Sequence, residues 1–311
     1  MTIAPGHVPI VHSPAYVAPL PDGHRFPMNK YFYLLEQLRA SGLASDETVL
    51  TPAPAPRAWL DLAHDPAYVS AVLEQRVDAA TTRRIGFPVT ERVARRSQLS
   101  CAGTLMAART ALEHGIAINS AGGSHHAHRD FGAGFCVFND VGVAAKVLLE
   151  ERDVARILVV DLDVHQGDGT ARMFQGDRRC TTFSMHCRIN FPVRKAESDL
   201  DVALEPKTGD SAYLGALAEH LPPLLARAQP DLVFYNAGVD PHEHDRLGKL
   251  SLTDGGLAAR DRYVINACQA RAIPLTIVMG GGYGEDVPAI ARRHSFVYQA
   301  AADALHQHHI A

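Results

Sequence analysis

Beyond Thr90 the chain alternates between two kinds of apolar pattern. Short runs without polar alternation fall at residues 115–119, 156–161, 181–186, 231–235 and 273–279. Each is rich in Ile, Val, Leu or Phe, as strands covered on both faces are. Between them lie segments with helical spacing, residues 140–150, 211–228 and 254–271. That order predicts one open, mostly parallel sheet with helices on both faces. The first 90 residues are more helical in character. There Pro27 is expected to open a helix running to Ala40, and Pro66 another running to Glu74. The Pro-rich stretch 51–56 is too short to separate domains and is expected to be a loop.

In such sheets ligands bind outside the carboxyl ends of the strands. Every polar motif of note follows one of the apolar runs. Asp161-Leu162-Asp163-Val164-His165-Gln166-Gly167-Asp168-Gly169 comes straight after Ile157–Val160. Alternate residues of an extended chain face the same way, so Asp161, Asp163 and His165 are expected to project together. Two carboxylates and an imidazole at that spacing suit a divalent metal with open positions. Asn236-Ala237-Gly238-Val239-Asp240-Pro241-His242 follows the next run, and Asp240 is the natural further carboxylate. Asp163, His165 and Asp240 would leave room for water and a substrate oxygen, the mark of a catalytic metal. Gly122-Gly123-Ser124-His125-His126 offers a histidine pair for proton transfer, if carboxylates such as Asp161 and Asp168 orient the rings. Gly280-Gly281-Gly282-Tyr283 lets the backbone approach a ligand closely and presents a hydroxyl to a developing oxyanion. Taken singly, each motif could be an ordinary turn, cap or packed aromatic. Their shared place at strand ends is what favours chemistry.

Composition narrows the picture. The chain has 311 residues, 47% of them hydrophobic, enough to bury a core as one large α/β domain or two small ones. The net charge is -4 and no long single-sign run occurs, so nothing points to nucleic acid. A basic protein tail as substrate would require a local acidic rim. Residues 1–21 lack the features of a secretory signal, and no apolar run is long enough for a membrane span. The 5 cysteines form no C-x-x-C pair, which argues for a reduced, cytoplasmic setting and against a cysteine zinc site. His306, His308 and His309 are expected to be solvated.

The segments 122–140, 161–170, 235–248 and 279–283, with 16–31 near the N-terminus, resemble the zinc-dependent histone deacetylase family. That family includes acetylpolyamine amidohydrolases and acetoin-utilisation proteins. The short length and N-terminal segment are most similar to its compact class IV branch and bacterial relatives. The resemblance implies a single deacetylase domain over residues 1–311, with the arginase/deacetylase α/β fold and a mostly parallel sheet of about eight strands. It implies one zinc ion held by Asp163, His165 and Asp240, although ferrous iron or cobalt suits the same donors. It makes His126 the general base and acid, His125 its electrostatic partner, and Tyr283 the oxyanion donor. Asp161 and Asp168 become the acidic partners of His125 and His126. Gly134, Phe135 and Phe191 match tunnel-wall positions. A potassium or sodium ion near Asp161, with Ser184 as a ligand, is also implied. The expected reaction removes acetyl or longer acyl groups from protein lysine, with acetylated polyamines as the alternative substrate. An arginase-like two-metal hydrolase and a non-catalytic binder of acylated ligands rank lower. Neither nucleic acid nor membrane is expected as a partner, and the oligomeric state is open. One departure stands out: many family members carry a rim-loop aspartate that grips the substrate backbone. The corresponding stretch here, Ile85-Gly86-Phe87-Pro88, has no acid.

Overall fold

A computed structural model describes residues 7–310, with side chains through residue 307. Residues 1–6 and the side chains of His308 and His309, about which the sequence raised expectations, lie outside the described residues. His306 is exposed.

Eight strands form one parallel sheet: β1 (Ile10–Val11), β2 (Val49–Leu50), β3 (Ile116–Asn119), β4 (Ile157–Asp161), β5 (Cys180–Cys187), β6 (Leu200–Leu204), β7 (Leu232–Asn236) and β8 (Leu275–Val278). Their order is β2-β1-β3-β8-β7-β4-β5-β6. The strands β3, β4, β7 and β8 are buried along their whole length, which accounts for their unbroken apolar runs. These four are also consecutive in space. One row of residues crosses them at the carboxyl end: Asn119 beside Val278, Val278 beside Asn236, and Asn236 beside Asp161. The row continues to Ser184 on β5. Each of the four strands ends on its member of that row, so the loops that follow leave the sheet at one height.

The helices are α1 (Lys30–Ala40), α2 (Arg57–Ala63), α3 (Pro66–Leu73), α4 (Ala79–Ile85), α5 (Glu91–His114), α6 (Asp140–Glu151), α7 (Asp168–Phe174), α8 (Asp210–Ala228), α9 (Asp254–Gln269) and α10 (Val287–Ile310). They fall into two packed groups: α5 lies against α6, which meets α2, while α10 lies against both α1 and α9. The expected helices are all present within a few residues. The start of α1 is at Lys30 rather than Pro27. Asp65 caps α3 by accepting from the Ala67 amide at 2.8 Å.

The short β1, β2, α2, α4 and α7 were not anticipated, nor were the long α5 and the edge strand β6. Long α5 escapes a search for branched apolar residues because much of its buried face is Ala, Ser, Cys, Gly and Thr. Small side chains let it lie close against β3 and α6. Thr90 caps its start, and Gly115, expected in β3, instead ends it at φ +83°. Strand β6 is an edge strand, and Leu200, Val202 and Leu204 alternate with the exposed Asp201 and Ala203. Its period is that of a half-covered strand. All 5 cysteines are buried and free. No helix among the described residues is long and apolar enough to cross a membrane.

Candidate active site

The four central loops converge. From the loop after β3, His125 and His126 turn their Nε2 atoms toward each other at 3.1 Å. Their Nδ1 atoms point the opposite way, each to a carboxylate. His125 Nδ1 lies 2.6 Å from Asp161 Oδ2 and His126 Nδ1 2.6 Å from Asp168 Oδ1. The two imidazoles are not equivalent. Burial alone would push His125 down, but Asp161 and Asp163 outweigh it and hold it up at about 9. Burial and the charge of His125 push His126 down to about 3. The two rings are thus biased in opposite directions, His125 toward the charged form and His126 toward a neutral acceptor, as a proton-transfer pair needs. Burial would raise Asp168, yet His126 and His128 keep it well below the usual carboxylate range.

Beside the pair, Asp163, His165 and Asp240 each offer a donor atom, and the three atoms lie within 4.8 Å of one another. The carboxylates are oriented by backbone amides. Gly281 N–H donates to Asp163 Oδ2 at 2.7 Å, and Val164 N–H to Asp240 Oδ1 at 2.9 Å. His165 Nδ1 faces both acids, at 3.0 Å from Asp163 and 3.1 Å from Asp240. Burial and the charge of Asp163 push the Asp240 carboxyl up. Two buried acids and one imidazole converging on a point form a donor set short of positive charge, which a divalent cation would supply. The fit extends to Gly281: a Cβ there would overlap Asp240 Oδ2, so this loop reaches the acids only as glycine.

The cavity above these groups measures about 520 Å³ and is lined by His126, His165, Tyr283, Gly134, Phe135 and Phe191, among others. Tyr283 packs its ring on Phe135 at 5.8 Å and edge-on to His165 at 6.1 Å. Burial and the nearby Asp163 and Asp240 push its hydroxyl well up, so it remains a hydrogen-bond donor. Gly134 has φ +52°, and a Cβ there would sit 2.6 Å from His126 Cδ2. The wall thus presses on the imidazole. Phe191 is edge-on to His126 at 4.7 Å and is 43% exposed, so it stands at the mouth. Ser184 lies beside Asp161 in the neighbouring strand, but its hydroxyl is bonded to His186 Nδ1 at 3.0 Å.

Several supporting residues had no assigned part in the sequence. His128, two positions past the pair, holds the second oxygen of Asp168 at 2.9 Å. Asn236, the last residue of β7, donates to Asp161 Oδ1 at 2.9 Å. Lys30, fully buried, donates to Gly280 O at 3.0 Å, and burial pushes it down to about 8. Arg260, also fully buried, donates to Gly238 O at 2.6 Å and, through two nitrogens, to Asp261 Oδ1 at 2.9 and 2.8 Å. It fixes the loop that carries Asp240, and removing one partner of such a buried pair typically costs about 3–5 kcal/mol. His128 and Asn236 sat inside motifs already singled out and could have been found there. Lys30 and Arg260 carried no local signal, because the loop carbonyls they brace, Gly280 O and Gly238 O, are more than twenty residues away in sequence.

Residues 24–297 match the family model for the histone deacetylase domain. An uncharacterized protein of Picosynechococcus is 47% identical over 295 residues, covering 95% of this chain and 98% of its own length. Histone deacetylase 2 of Arabidopsis thaliana is 29% identical over 269 residues, 84% of this chain and 70% of that protein. The crystal structure of the HDA15 HD domain shares the fold, with a TM-score of 0.78 at 19% identity over 96% of this chain and 88% of that one.

Proposed function

The chain belongs to the histone deacetylase family and is a deacetylase, and from that premise we propose that it removes acetyl or longer acyl groups from the ε-amine of lysine. The same proposal takes residues 1–311 as one catalytic unit. It assigns Asp163, His165 and Asp240 to one divalent cation, zinc as the family generally uses. A potassium or sodium ion is assigned to the neighbourhood of Asp161 and Ser184.

Asp163, His165 and Asp240 would hold the zinc ion, and its chemistry when bound would be to acidify a water molecule and polarise the acyl carbonyl. The remaining work falls to the chain. His126, neutral, takes the proton of the attacking water at Nε2, while Asp168 holds the ring through Nδ1 and stabilises the imidazolium that forms. His125, anchored on Asp161 and biased by it toward the charged form, favours positive charge beside the reacting centre. The Tyr283 hydroxyl donates to the carbonyl oxygen as that oxygen becomes an oxyanion, when the bond is strongest. The histidine pair then protonates the leaving amine, which would otherwise depart as an amide anion. Gly134, Phe135 and Phe191 give the slim acyl-alkyl chain an apolar passage.

The observation that carries this proposal is the pair of opposed histidine–carboxylate couples beside an O/N/O donor set at the base of one cavity. The test is a substrate panel on metal-reconstituted protein, crossing acyl length with amine type and reading acetate or fatty-acid release. Metal-dependent turnover of acyl-lysine peptides is expected. Turnover confined to acetylputrescine or acetylspermidine would move the assignment to polyamines. Binding of acyl-lysine by metal-loaded protein without turnover would overturn it.

A further inference from the structure

The sign of charge at the mouth of the cavity is opposite to that of the whole chain. Arg25, Arg83, Arg84 and Lys249 line the cavity, and among the described residues no aspartate or glutamate does, although the net charge is -4. All four are exposed. None of them pairs with a carboxylate among the described residues; Glu285, two positions past Tyr283, is engaged by Arg246 at 2.8 Å instead. Two of the cations are steadied by aromatic faces. The Arg25 guanidinium lies 5.1 Å from the Phe135 ring centroid, and that of Arg84 lies 4.8 Å from Phe131. A ring face holds a guanidinium in place without neutralising it. Arg83 and Arg84 sit in the last turn of α4, directly before the Ile85-Gly86 stretch that carries no acid. The rim thus supplies arginines immediately beside the stretch where many family members place a backbone-gripping aspartate.

The two commonest cationic candidates fit this rim poorly. A lysine-rich protein tail brings like charge to it, and so do the free ammonium groups of an acetylated polyamine. Like charges in an open cleft lower encounter rates and opposite charges raise them. The floor of the same cavity is His126, His165 and Tyr283, so groups several bonds from the scissile amide meet the cations.

Resting on the deacylase function proposed above, we infer that the preferred substrate carries carboxylates close to the acylated amine. The carboxylates could be glutamate or aspartate side chains flanking an acyl-lysine, or the α-carboxylate of a free Nε-acyl-lysine. Arg25, Arg83, Arg84 and Lys249 are then specificity-determining residues.

The experiment uses the full chain loaded with zinc. It compares kcat/KM for acetyl-lysine peptides of equal length flanked by Glu, Gln or Lys, and for free Nε-acetyl-lysine against its carboxamide. Glu-flanked peptides are expected to exceed Lys-flanked ones by on the order of tenfold at low salt. The gap should close in high salt, as the screening length falls from about 10 Å at 0.1 M to 3 Å at 1 M. The double substitution Arg83→Glu with Lys249→Glu should reverse the order. If that variant does not fold, the salt dependence of the unaltered chain still decides. A preference for free acetyl-lysine over its carboxamide would assign the carboxylate to an amino acid; a preference among peptides alone would assign it to a protein segment. Equal turnover of all flanks, or a preference for Lys, would overturn the inference while leaving the deacylase function standing. No turnover of any substrate with metal bound would remove both.

Discussion

On the floor of the cavity, Asp161, Asp163, Asp168 and Asp240 are buried, and each makes at least two hydrogen bonds to the chain. At the rim, Arg25, Arg83, Arg84, Lys249 and Phe191 stand exposed, and the four cations pair with no carboxylate among the described residues. The floor groups leave the ends of adjacent parallel strands, whose register fixes them to one another. The rim groups sit on a helix end and on loops. Floor substitutions should therefore damage the reaction whatever the substrate, and rim substitutions should redistribute activity among substrates.

The largest effect should come from Asp240→Ala. It removes one of the three donors proposed for the cation and leaves the Val164 amide without its acceptor. Expected are a protein that still melts cooperatively, zinc content near zero by elemental analysis, and loss of essentially all turnover. Full zinc occupancy with normal activity would remove Asp240 from the site. Next comes His126→Ala, with zinc retained and kcat lowered by about 10²–10⁴-fold for every substrate. A loss under about tenfold would mean that the proton is handled elsewhere. Tyr283→Phe keeps the ring that packs on Phe135 and removes only the hydroxyl, so kcat should fall on the order of 10²–10³-fold with KM little changed. A change confined to KM would reclassify Tyr283 as wall. The smallest effect belongs to Phe191→Ala at the mouth. There KM should rise by roughly two- to tenfold, the worth of one aromatic contact, and by different factors for different acyl chains. A uniform collapse of kcat from this substitution would break the contrast between floor and rim.

Part of this architecture is written in the chain itself. The unbroken apolar runs of β3, β4, β7 and β8 announce a sheet covered on both faces, and each is followed by its polar motif. The row of equivalent positions from Asn119 to Asp161 confirms that those motifs start level. Local spacing put Asp161, Asp163 and His165 at one strand end, but β4 stops at Asp161 and residues 163–165 bend. Alternation therefore did not separate Asp161, which faces His125, from Asp163 and His165, which converge with Asp240. Local spacing was not enough for α5, whose buried face is built largely of small residues rather than large branched ones, nor for β6, whose alternation marks an edge.

By itself the sequence determined the alternation of strands and helices through the middle of the chain, the strands that form the centre of the sheet, and the residue types placed at their carboxyl ends. Those depend on hydrophobic period and backbone geometry, which act over a few residues. Only the tertiary structure decided which carboxylate orients which histidine, that His128 shares Asp168 with His126, and that Arg260 and Lys30 brace the loops from helices distant in sequence. It also decided the charge of the rim, where Arg25, two arginines of α4 and Lys249 come together from three separate segments. Such arrangements depend on distance in space. Electrostatic and packing energies fall off over a few ångströms, and the spacing of residues along the chain says little about which of them will come that close.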